Sequence, residues 1–334
     1  MKRISFTLTL LLTAVFSIFT ACTTPAENKK KKATAAILSG PYELLLVAHK
    51  SWLASGDGME FRNIVERPIV GIPQPEPNFR VTALEPRDYK GKYLMYGNIF
   101  IADIDSKYEH ADMKVETDVN AQPQVVITVK APTSDALMIF LENKKDSILD
   151  IFNQHEIERE ITFLKKHHGK EIAKQAKKQF GIDILAPSDI DQVFTHEGFI
   201  WGTASKRNSM LNLCIYNYPY TGEENFTLEN FIQHRDSVMK IRVQGEKDGQ
   251  YMRTDARYVY EKANIYNNQF TYIVRGLWVM ENDAMGGPFV AYARLDEARK
   301  QIIVAEGFVF APDEKKRPLI RELEASLQTV VLPQ

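Results

Sequence analysis

The chain has 334 residues, of which 44% are hydrophobic, 25% charged and 10% aromatic. This composition is typical of a globular protein and excludes collagen, a coiled coil, wholesale disorder and a protein with many membrane spans. The 42 basic and 43 acidic residues give a formal charge of -1, so the chain lacks the broad basic surface that nucleic acid requires. We therefore expect no nucleic-acid partner.

The first 21 residues have the layout of a bacterial secretion signal that ends at a lipid-attachment site. Lys2 and Arg3 precede an apolar run over residues 4–19, and small residues follow immediately before Cys22. The order is typical of a signal peptide, and the run is shorter than the roughly 20 residues of a membrane-spanning helix. A Cys at this position resembles the bacterial lipobox, so we predict that Cys22 is lipidated. A plain secreted protein and an uncleaved anchor are the alternatives.

Residues 22–40 contain Pro, Ala, Asn and Lys without periodicity, which predicts a flexible tether ahead of a body at 41–334. The four lysines at 29–32 either contact anionic headgroups or belong to a solvated spacer. No acidic run follows Cys22, so we expect an outer-membrane anchor that faces the periplasm. Cys214 is then the only remaining thiol, and its surroundings predict a small buried side chain, with a reactive nucleophile as the alternative.

Nine segments of the body are rich in β-branched and aromatic residues and are predicted as strands. They span residues 42–48, 79–84, 93–104, 124–130, 198–203, 211–218, 270–280, 289–295 and 301–310. Four segments with apolar residues at helical spacing are predicted as helices. They span residues 135–153, 156–179, 228–243 and 317–331.

An internal repeat is visible in the body. Residues 79–86 and 180–187 share the pattern Phe-x-apolar-x-x-Leu-x-Pro, and a second short match follows each of them in the same order. These matches predict duplication of a strand-strand-helix unit, with similar halves at 41–178 and 179–334. The predicted fold is α+β, a largely antiparallel sheet with helices packed on one face.

Common catalytic and cofactor motifs are missing from the sequence. It has no Gly-x-Ser-x-Gly elbow, no P-loop and no Gly-x-Gly-x-x-Gly. His155-Glu156 begins like a zinc-protease helix, but Arg159 stands where the second His ligand belongs. Residues 103–107 begin like a calcium loop but lack its later ligands. We therefore expect no metal and no cofactor, and no catalytic residue is assigned.

Three charged residues occupy positions that otherwise carry apolar side chains. Arg235 falls in the apolar stripe of a predicted helix, while Arg275 and Glu306 alternate with apolar residues in predicted strands. Buried charges need partners. We predict that all three are mostly buried, that Arg275 and Glu306 project to the same face of one sheet, and that Arg235 meets them there. The arrangement is either an internal ion-pair network or a pocket whose arginines receive an anionic group.

Several stretches of the body stand out as a set. They are Arg275-Gly276-Leu277-Trp278, Met285-Gly286-Gly287-Pro288-Phe289, Tyr251-Met252-Arg253-Thr254, Arg235-Asp236 and Ala311-Pro312 with Lys316-Arg317. Together they resemble an uncharacterised lipoprotein family of the Bacteroidota, a domain of unknown function, over nearly the whole body. The resemblance implies cell-envelope localisation and no assigned activity.

The glycine pair in the second of these stretches can let a ligand approach the backbone closely. The candidate ligand-binding residues are therefore Arg235, Arg275, Trp278, Gly286, Gly287 and Glu306. Asp146-Ser147-Ile148 and Asp236-Ser237-Val238 are similar to a short O-glycosylation sequence of the same bacterial group. Ser147 and Ser237 are thus candidate glycosylation sites, although both lie in predicted helices that are expected to pack.

These observations favour a non-enzymatic binding or scaffold module of the cell envelope. Its expected partners are the membrane, through the lipid anchor, and an unknown envelope protein or glycan. The alternative is a hydrolase or transferase that acts on an envelope glycan or lipid headgroup with carboxylates as acid and base. An enzyme should show a cleft with two converging carboxylates of perturbed pKa, whereas a binding module should show an aromatic or Arg-lined surface.

Overall fold

The computed structural model describes residues 35–206 and 208–333 of the chain. The predicted signal peptide, Cys22 and the four lysines that follow it lie outside the described residues. The described chain forms two units, each built on a sheet of its own. We call residues 35–166 the N-terminal unit and residues 167–333 the C-terminal unit.

Residues 35–40, predicted as the end of the tether, are held on the body instead. Leu38 donates its backbone N–H to the carbonyl oxygen of Met95 at 2.9 Å, and Ala36 forms a parallel bridge with Gln122. Backbone hydrogen bonds to two loops of the N-terminal unit therefore make this segment part of the body.

Five strands and three helices form the N-terminal unit within the described residues. The strands are β1 Glu43–Val47, β2 Arg80–Leu84, β3 Asn98–Ile104, β4 Asp112–Thr117 and β5 Val125–Ala131. The helices are α1 Lys50–Leu53, α2 Gly56–Val65 and α3 Ser134–Lys166. The sheet order is β2-β1-β3-β5-β4, and every neighbouring pair is parallel except β4 with β5.

Helices cover one face of this first sheet. Leu44, Leu46 and Phe100 lie on that face and form the main core with α2 and α3. Leu45 and Ile99 lie on the other face, beneath tyrosines of the connection between β2 and β3. Successive side chains of a strand point to opposite faces, so the continuous apolar runs of these strands serve both cores.

The C-terminal unit is built on a longer sheet. Its strands are β6 His168–Gly169, β7 Ala186–Pro187, β8 Gln192–His196, β9 Phe199–Lys206, β10 Ser209–Pro219, β11 Met252–Tyr266, β12 Gln269–Met280, β13 Gly286–Asp296 and β14 Gln301–Phe310. Its helices are α4 Lys170–Phe180, α5 Leu228–Arg242 and α6 Arg317–Gln328. Seven of the strands form an antiparallel sheet in the order β11-β12-β13-β14-β10-β9-β8, and β6 pairs with β7.

Both faces of the seven-stranded sheet are covered by helices. Phe231 of α5 packs with Trp278 on one face, and Leu323 of α6 packs with Val290 on the other, where α4 also lies. The predicted α+β class and antiparallel sheet are confirmed, but the prediction that helices occupy one face is wrong for this sheet. Its central strands are buried along almost their whole length, so each face requires cover.

Apart from the two-residue strands β6 and β7, three strands, β4, β8 and β11, have no counterpart among the predicted strands. All three lie at the edge of a sheet. β11 carries exposed charges such as Arg257, Glu261 and Lys262, which are usual on an edge and break the apolar pattern. The short helices α1 and α2 are also missing from the prediction. These two helices bury side chains such as Trp52 and Phe61, so a buried side alone does not make a short element recognisable from the sequence.

The break between the two helices predicted at 135–153 and 156–179 lies further along the chain than predicted. α3 continues without interruption to Lys166, because the segment contains neither Gly nor Pro, and the break comes at Gly169 before α4. Although α3 is 33 residues long, no helix of the described residues is both long and apolar enough to cross a membrane.

The predicted duplication is not confirmed. Residues 79–86 hold β2, a strand in a mostly parallel sheet, whereas the matching residues 180–187 hold only the two-residue strand β7. The two sheets also differ in strand direction, since the larger one is antiparallel throughout. Similar sequence patterns here form different local structures.

Helix α6 joins the two units at its N-terminus. The backbone N–H groups of Lys316 and Arg317 donate to the two carboxylate oxygens of Glu76 at 2.7 and 3.2 Å, and Glu76 is buried. Arg317 also donates from its side chain to the carbonyl oxygen of Pro77 at 2.7 Å. A carboxylate at a helix N-terminus satisfies unpaired N–H groups and interacts favourably with the helix dipole. The N-terminal unit therefore caps a helix that covers the C-terminal sheet.

We expect Glu76→Ala to lower the free energy of unfolding by about 2 kcal/mol, because two hydrogen bonds to a buried carboxylate are lost. Urea denaturation measures the change. Glu60→Ala, at an exposed position of α2, is the control and should change the free energy by less than about 0.5 kcal/mol. Equal effects of the two substitutions would contradict a capping role for Glu76.

Candidate functional site

The predicted buried ion pair exists between Arg235 of α5 and Glu306 of β14. Both side chains are fully buried, and Arg235 donates from Nη2 to Glu306 Oε1 at 2.7 Å and from Nε to both carboxylate oxygens at 3.0 and 3.1 Å. Nη1 donates to Thr254 Oγ1 at 2.8 Å, the guanidinium lies 4.0 Å from the Phe289 ring, and Tyr216 donates to Glu306 at 3.1 Å. Every guanidinium nitrogen is bound within the core, which supports the interpretation as an internal ion pair.

Arg275 does not belong to this cluster, and the prediction that it shares a face with Glu306 is wrong. The strand register aligns Arg275, through Val290 of β13, with Gly307, the residue after Glu306. Adjacent residues of a strand point to opposite faces, so the two charges lie on opposite sides of the sheet. On its own side Arg275 forms an ion pair with Glu324 of α6.

Trp278, Gly286 and Gly287 take part in strand packing. Trp278 is buried and donates from Nε1 to the carbonyl oxygen of Val309 at 3.1 Å. A Cβ atom at Gly287 would lie 2.0 Å from that same oxygen, and one at Gly286 would lie 2.9 Å from the carbonyl oxygen of Trp278. Close approach of neighbouring strands therefore explains both glycines without a ligand.

A cleft of about 720 Å³ lies between the two units, and Arg275 lines it. α6 covers β13 and β14. The same face of the neighbouring strands β11 and β12 is not covered by α6 and forms one wall of the cleft. The opposite wall comes from α3 and the loop at 67–70 of the N-terminal unit. Gly71 in the continuation of this loop has a φ of 82°, and a Cβ there would lie 3.3 Å from Arg275 Cβ. The loop thus packs directly against the base of the Arg275 side chain.

Two arginines share the buried carboxylate of Glu324. Arg321 donates from Nη1 to Glu324 Oε2 at 2.8 Å, and Arg275 donates to the other oxygen. From Nη2, Arg321 also donates to Asn78 Oδ1 at 2.6 Å and to Asn153 Oδ1 at 3.0 Å, both in the N-terminal unit. Arg321 is therefore engaged in holding the units together, whereas Arg275 keeps 18% of its side chain exposed at the cleft.

Glu324 stays ionised in this setting. Burial by itself raises the pKa of its carboxyl group, but the guanidinium groups of Arg275 and Arg321 outweigh burial and lower that pKa to about 2. One carboxylate thus faces two guanidinium groups, which leaves one unbalanced positive charge. Because Arg275 is the exposed member, an anionic group in the cleft can bind its guanidinium in bidentate fashion.

The mouth of the cleft is bridged by exposed charges. Lys262 of β11 and Asp150 of α3 lie 3.6 Å apart, and both side chains are more than half exposed. Exposed ion pairs of this kind contribute only about 0–1 kcal/mol, so this bridge opens at little cost. Glu261 also borders the cleft, but its side chain points to the other face of β11 and accepts a hydrogen bond from Tyr272.

Reasoning from the sequence singled out Arg275 but missed its partners. Arg321, Glu324 and Gln328 recur at spacings of three and four residues, so they form a polar stripe beside the apolar stripe of α6. That stripe is the signal by which a buried polar face on this helix can be recognised. No pattern in the sequence pairs it with a particular strand residue.

Both candidate glycosylation serines are exposed. Ser147 lies on the outer side of α3, and Ser237 lies on α5 and donates to the carbonyl oxygen of Gln233 at 2.7 Å. Ser237 also lines a second cleft of about 540 Å³ together with Arg242. The expectation that these positions pack is therefore wrong, because each helix buries its opposite side.

The metal-like motifs have structural roles. His155 Nδ1 lies 2.8 Å from Asn98 Oδ1, and Glu156 accepts hydrogen bonds from Asn98 and Arg159, each at 2.6 Å. Burial, with a smaller effect of Arg159, lowers the pKa of His155 to about 4. Cys214 is buried as predicted, and burial raises the pKa of its thiol. Within the described residues no group of three or more His, Cys, Asp and Glu side chains could hold a metal ion.

The division into two units agrees with comparisons of the sequence. Residues 169–329 match the family described as Domain of unknown function (DUF4837). Residues 38–165 match a separate family, Domain of unknown function (DUF8532). All the stretches that carry the family resemblance fall within the first match, so the resemblance is supported for the C-terminal unit rather than for the whole body. No curated protein sequence matches the chain.

Two solved structures are similar to part of the chain. The solution structure of cyanobacterial PsbP (CyanoP) from Synechocystis sp. PCC 6803 is 12% identical with a TM-score of 0.30, and the match covers 46% of this chain and 87% of that one. The crystal structure of the Saccharomyces cerevisiae Ran-binding protein Mog1p is 8% identical with a TM-score of 0.29, and the match covers 45% and 89%. Similarity at this level carries no inference about function.

We expect Arg235→Met to lower the free energy of unfolding by about 3 kcal/mol, because Glu306 is then buried without its partner. The double variant Arg235→Met with Glu306→Leu should regain much of this loss, since no buried charge remains. Urea denaturation of both single variants and the double variant gives the coupling energy. Simple addition of the two single effects would contradict the ion pair.

Stability should fall as the pH is lowered from about 5 to about 2, because folding lowers the pKa of Glu324 from 4.5 to about 2. The unfolded chain takes up the proton first, so the contribution of Glu324 is complete above its unfolded pKa and is lost as the pH falls through its folded pKa. Glu324→Gln should reduce this fall by up to about 3 kcal/mol.

Urea denaturation between pH 2 and pH 6 measures this dependence. Glu314→Gln, at an exposed position before α6, is the matched control and should keep the wild-type slope. If Glu324→Gln also keeps that slope, the carboxylate is not stabilised by the two arginines.

Proposed function

We propose that this protein is a lipid-anchored cell-envelope module that binds an acidic ligand without chemical conversion, and that Arg275 receives the acid group of the ligand. The observation that carries the proposal is the ion-pair arrangement in the cleft. Glu324 orients Arg275, and the Arg275 side chain remains 18% exposed where the cleft opens. A preoriented guanidinium with one unbalanced charge suits a carboxylate or a phosphate group.

The carboxylates of the cleft support binding rather than acid-base catalysis. Glu324, with its pKa lowered to about 2, holds no proton to donate near neutral pH. Asp150 pairs with Lys262, and the Glu261 side chain lies on the other face of β11, where it accepts a hydrogen bond from Tyr272. A glycan hydrolase or transferase would need one carboxyl group in the cleft that stays protonated beside another that is ionised.

Envelope localisation is supported by the sequence alone. The signal-like segment ends directly before Cys22, and the neighbouring residues carry no acidic run. We propose that Cys22 anchors the body in the outer membrane and that the body faces the periplasm, where its ligand is a component or a product of the envelope. The candidate partner is thus an envelope glycan or protein that bears an acid group.

Nuclear magnetic resonance of the arginine guanidinium groups tests the proposed site. We expect inorganic phosphate to shift the Nε–H resonance of Arg275, because the anion binds there, while the fully buried Arg235 serves as an internal control and keeps its resonance. Arg275→Lys assigns the signal, and Arg275→Met should weaken phosphate binding at least tenfold. Equal shifts at both arginines, or no shift at Arg275, would contradict the proposal.

Metabolic labelling with an alkyne analogue of palmitate tests the anchor. The wild-type protein should take up the label and sediment with outer membranes, whereas Cys22→Ser should do neither, because the thioether cannot form. Cys214→Ser is the matched control and should be labelled normally. Protease treatment of intact cells should leave the protein intact, and its loss would contradict the periplasmic orientation.

A further inference from the structure

The face of β11 places an aromatic ring next to Arg275. Tyr260 pairs with Arg275 across β11 and β12, lines the cleft and is 49% exposed. Directly paired residues of antiparallel strands lie about 5 Å apart and point to the same side of the sheet. An acid-binding guanidinium and a half-exposed ring therefore stand side by side on one wall of the cleft.

Hydrogen-bonding groups make up most of the remaining lining. Twelve of the nineteen lining residues carry charged or amide side chains. Lys262 and Asn264 follow Tyr260 at alternate positions of β11, so they lie on the same face, and Gln154 of α3 lines the cleft from the other unit. Such a surface suits a ligand rich in hydroxyl groups and disfavours an acyl chain or an apolar peptide, which would leave these groups unpaired.

We propose, resting on the function proposed above, that the ligand is an acidic saccharide. Its carboxylate or phosphate group binds Arg275, and the apolar face of its ring packs on Tyr260. Its hydroxyl groups exchange hydrogen bonds with Lys262, Asn264 and Gln154. The volume of about 720 Å³ exceeds what a lone acid group needs and falls in the range of small-ligand sites.

A polyanion fits this wall poorly. Asp150 and Glu324 stand among the basic residues of the cleft, and the whole chain has a formal charge of -1. A ligand with one acid group among neutral hydroxyl groups matches the single unbalanced charge of the arginine pair.

Isothermal titration calorimetry of the full-length protein tests this inference with three acidic disaccharides. They are the galacturonate-rhamnose disaccharide, the glucuronate-N-acetylglucosamine disaccharide and trehalose 6-phosphate, and each carries a single acid group. We expect at least one of them to bind at least tenfold more tightly than acetate or inorganic phosphate, because the sugar rings add contacts with Tyr260. Neutral trehalose should bind at least tenfold more weakly than the best acidic disaccharide.

Two tyrosine variants locate the binding. Tyr260→Ala should weaken binding of the best disaccharide at least tenfold and leave phosphate binding unchanged. Tyr258→Ala is the matched control, because Tyr258 is 47% exposed on the same strand but is absent from the cleft lining, and it should bind as the wild type does. Circular dichroism and urea denaturation confirm that both variants fold.

The outcomes separate the two proposals. If phosphate shifts the Arg275 resonance but no disaccharide binds more tightly than its acid group alone, the saccharide inference is overturned and the anion site stands. Equal effects of Tyr260→Ala and Tyr258→Ala, or equally tight binding of the dipeptide alanyl-aspartate, overturn it too. If neither phosphate nor a disaccharide acts on Arg275, the proposed function fails as well.

Discussion

A charge that is buried in a protein is stable only when it is paired. At the junction of the two units, the carboxylate of Glu324 pairs with two arginines. Glu324 lies on α6, Arg275 comes from the sheet beneath it, and Arg321 extends the network to Asn78 and Asn153 in the N-terminal unit. Removing Glu324 leaves both arginines without their carboxylate partner. The sheet, the helix and the neighbouring unit are therefore positioned together, and Arg275 is held rigidly at the cleft as a consequence.

The ion pairs of Arg235 and Arg275 differ in what they leave free. Arg235 is fully enclosed, and all its nitrogens are bound between Glu306, Thr254 and their neighbours. Arg275 is partly exposed beside a cleft. The difference arises because α5 seals its face of the sheet over the ion pair, whereas α6 stops short of the two outer strands on the opposite face. Only the second arrangement has the geometry of a binding site.

The location of the cleft between two units also matters for the kind of site that it forms. Its walls come from separate units, and α6 is capped by Glu76 across the same junction. Ligand sites are frequent at such junctions, because two surfaces can present different groups to one molecule. Here the N-terminal unit supplies amide side chains and an overhanging loop, while the C-terminal unit supplies the arginine and the ring.

Much of the architecture can be predicted from local patterns. The central strands, α5 and α6 follow from apolar periodicity, and charges such as Arg235, Arg275 and Glu306 are recognisable as residues that need partners. The edge strands β4, β8 and β11 escape prediction, because an edge exposes the charges that obscure the pattern. The lipid anchor at Cys22 is predicted from the sequence alone, since Cys22 lies outside the described residues.

Partner choice was decided by the tertiary structure. Arg275 and Glu306 both alternate with apolar neighbours, but a strand register that differs by one residue places them on opposite faces. Glu324, the true partner of Arg275, lies 49 residues further along the chain on a helix. Spacing along one element determines which side chains share its face, whereas contact between elements depends on register and packing across the whole chain. The sequence alone therefore determined that these charges must be paired, and only the fold determined which residues are their partners.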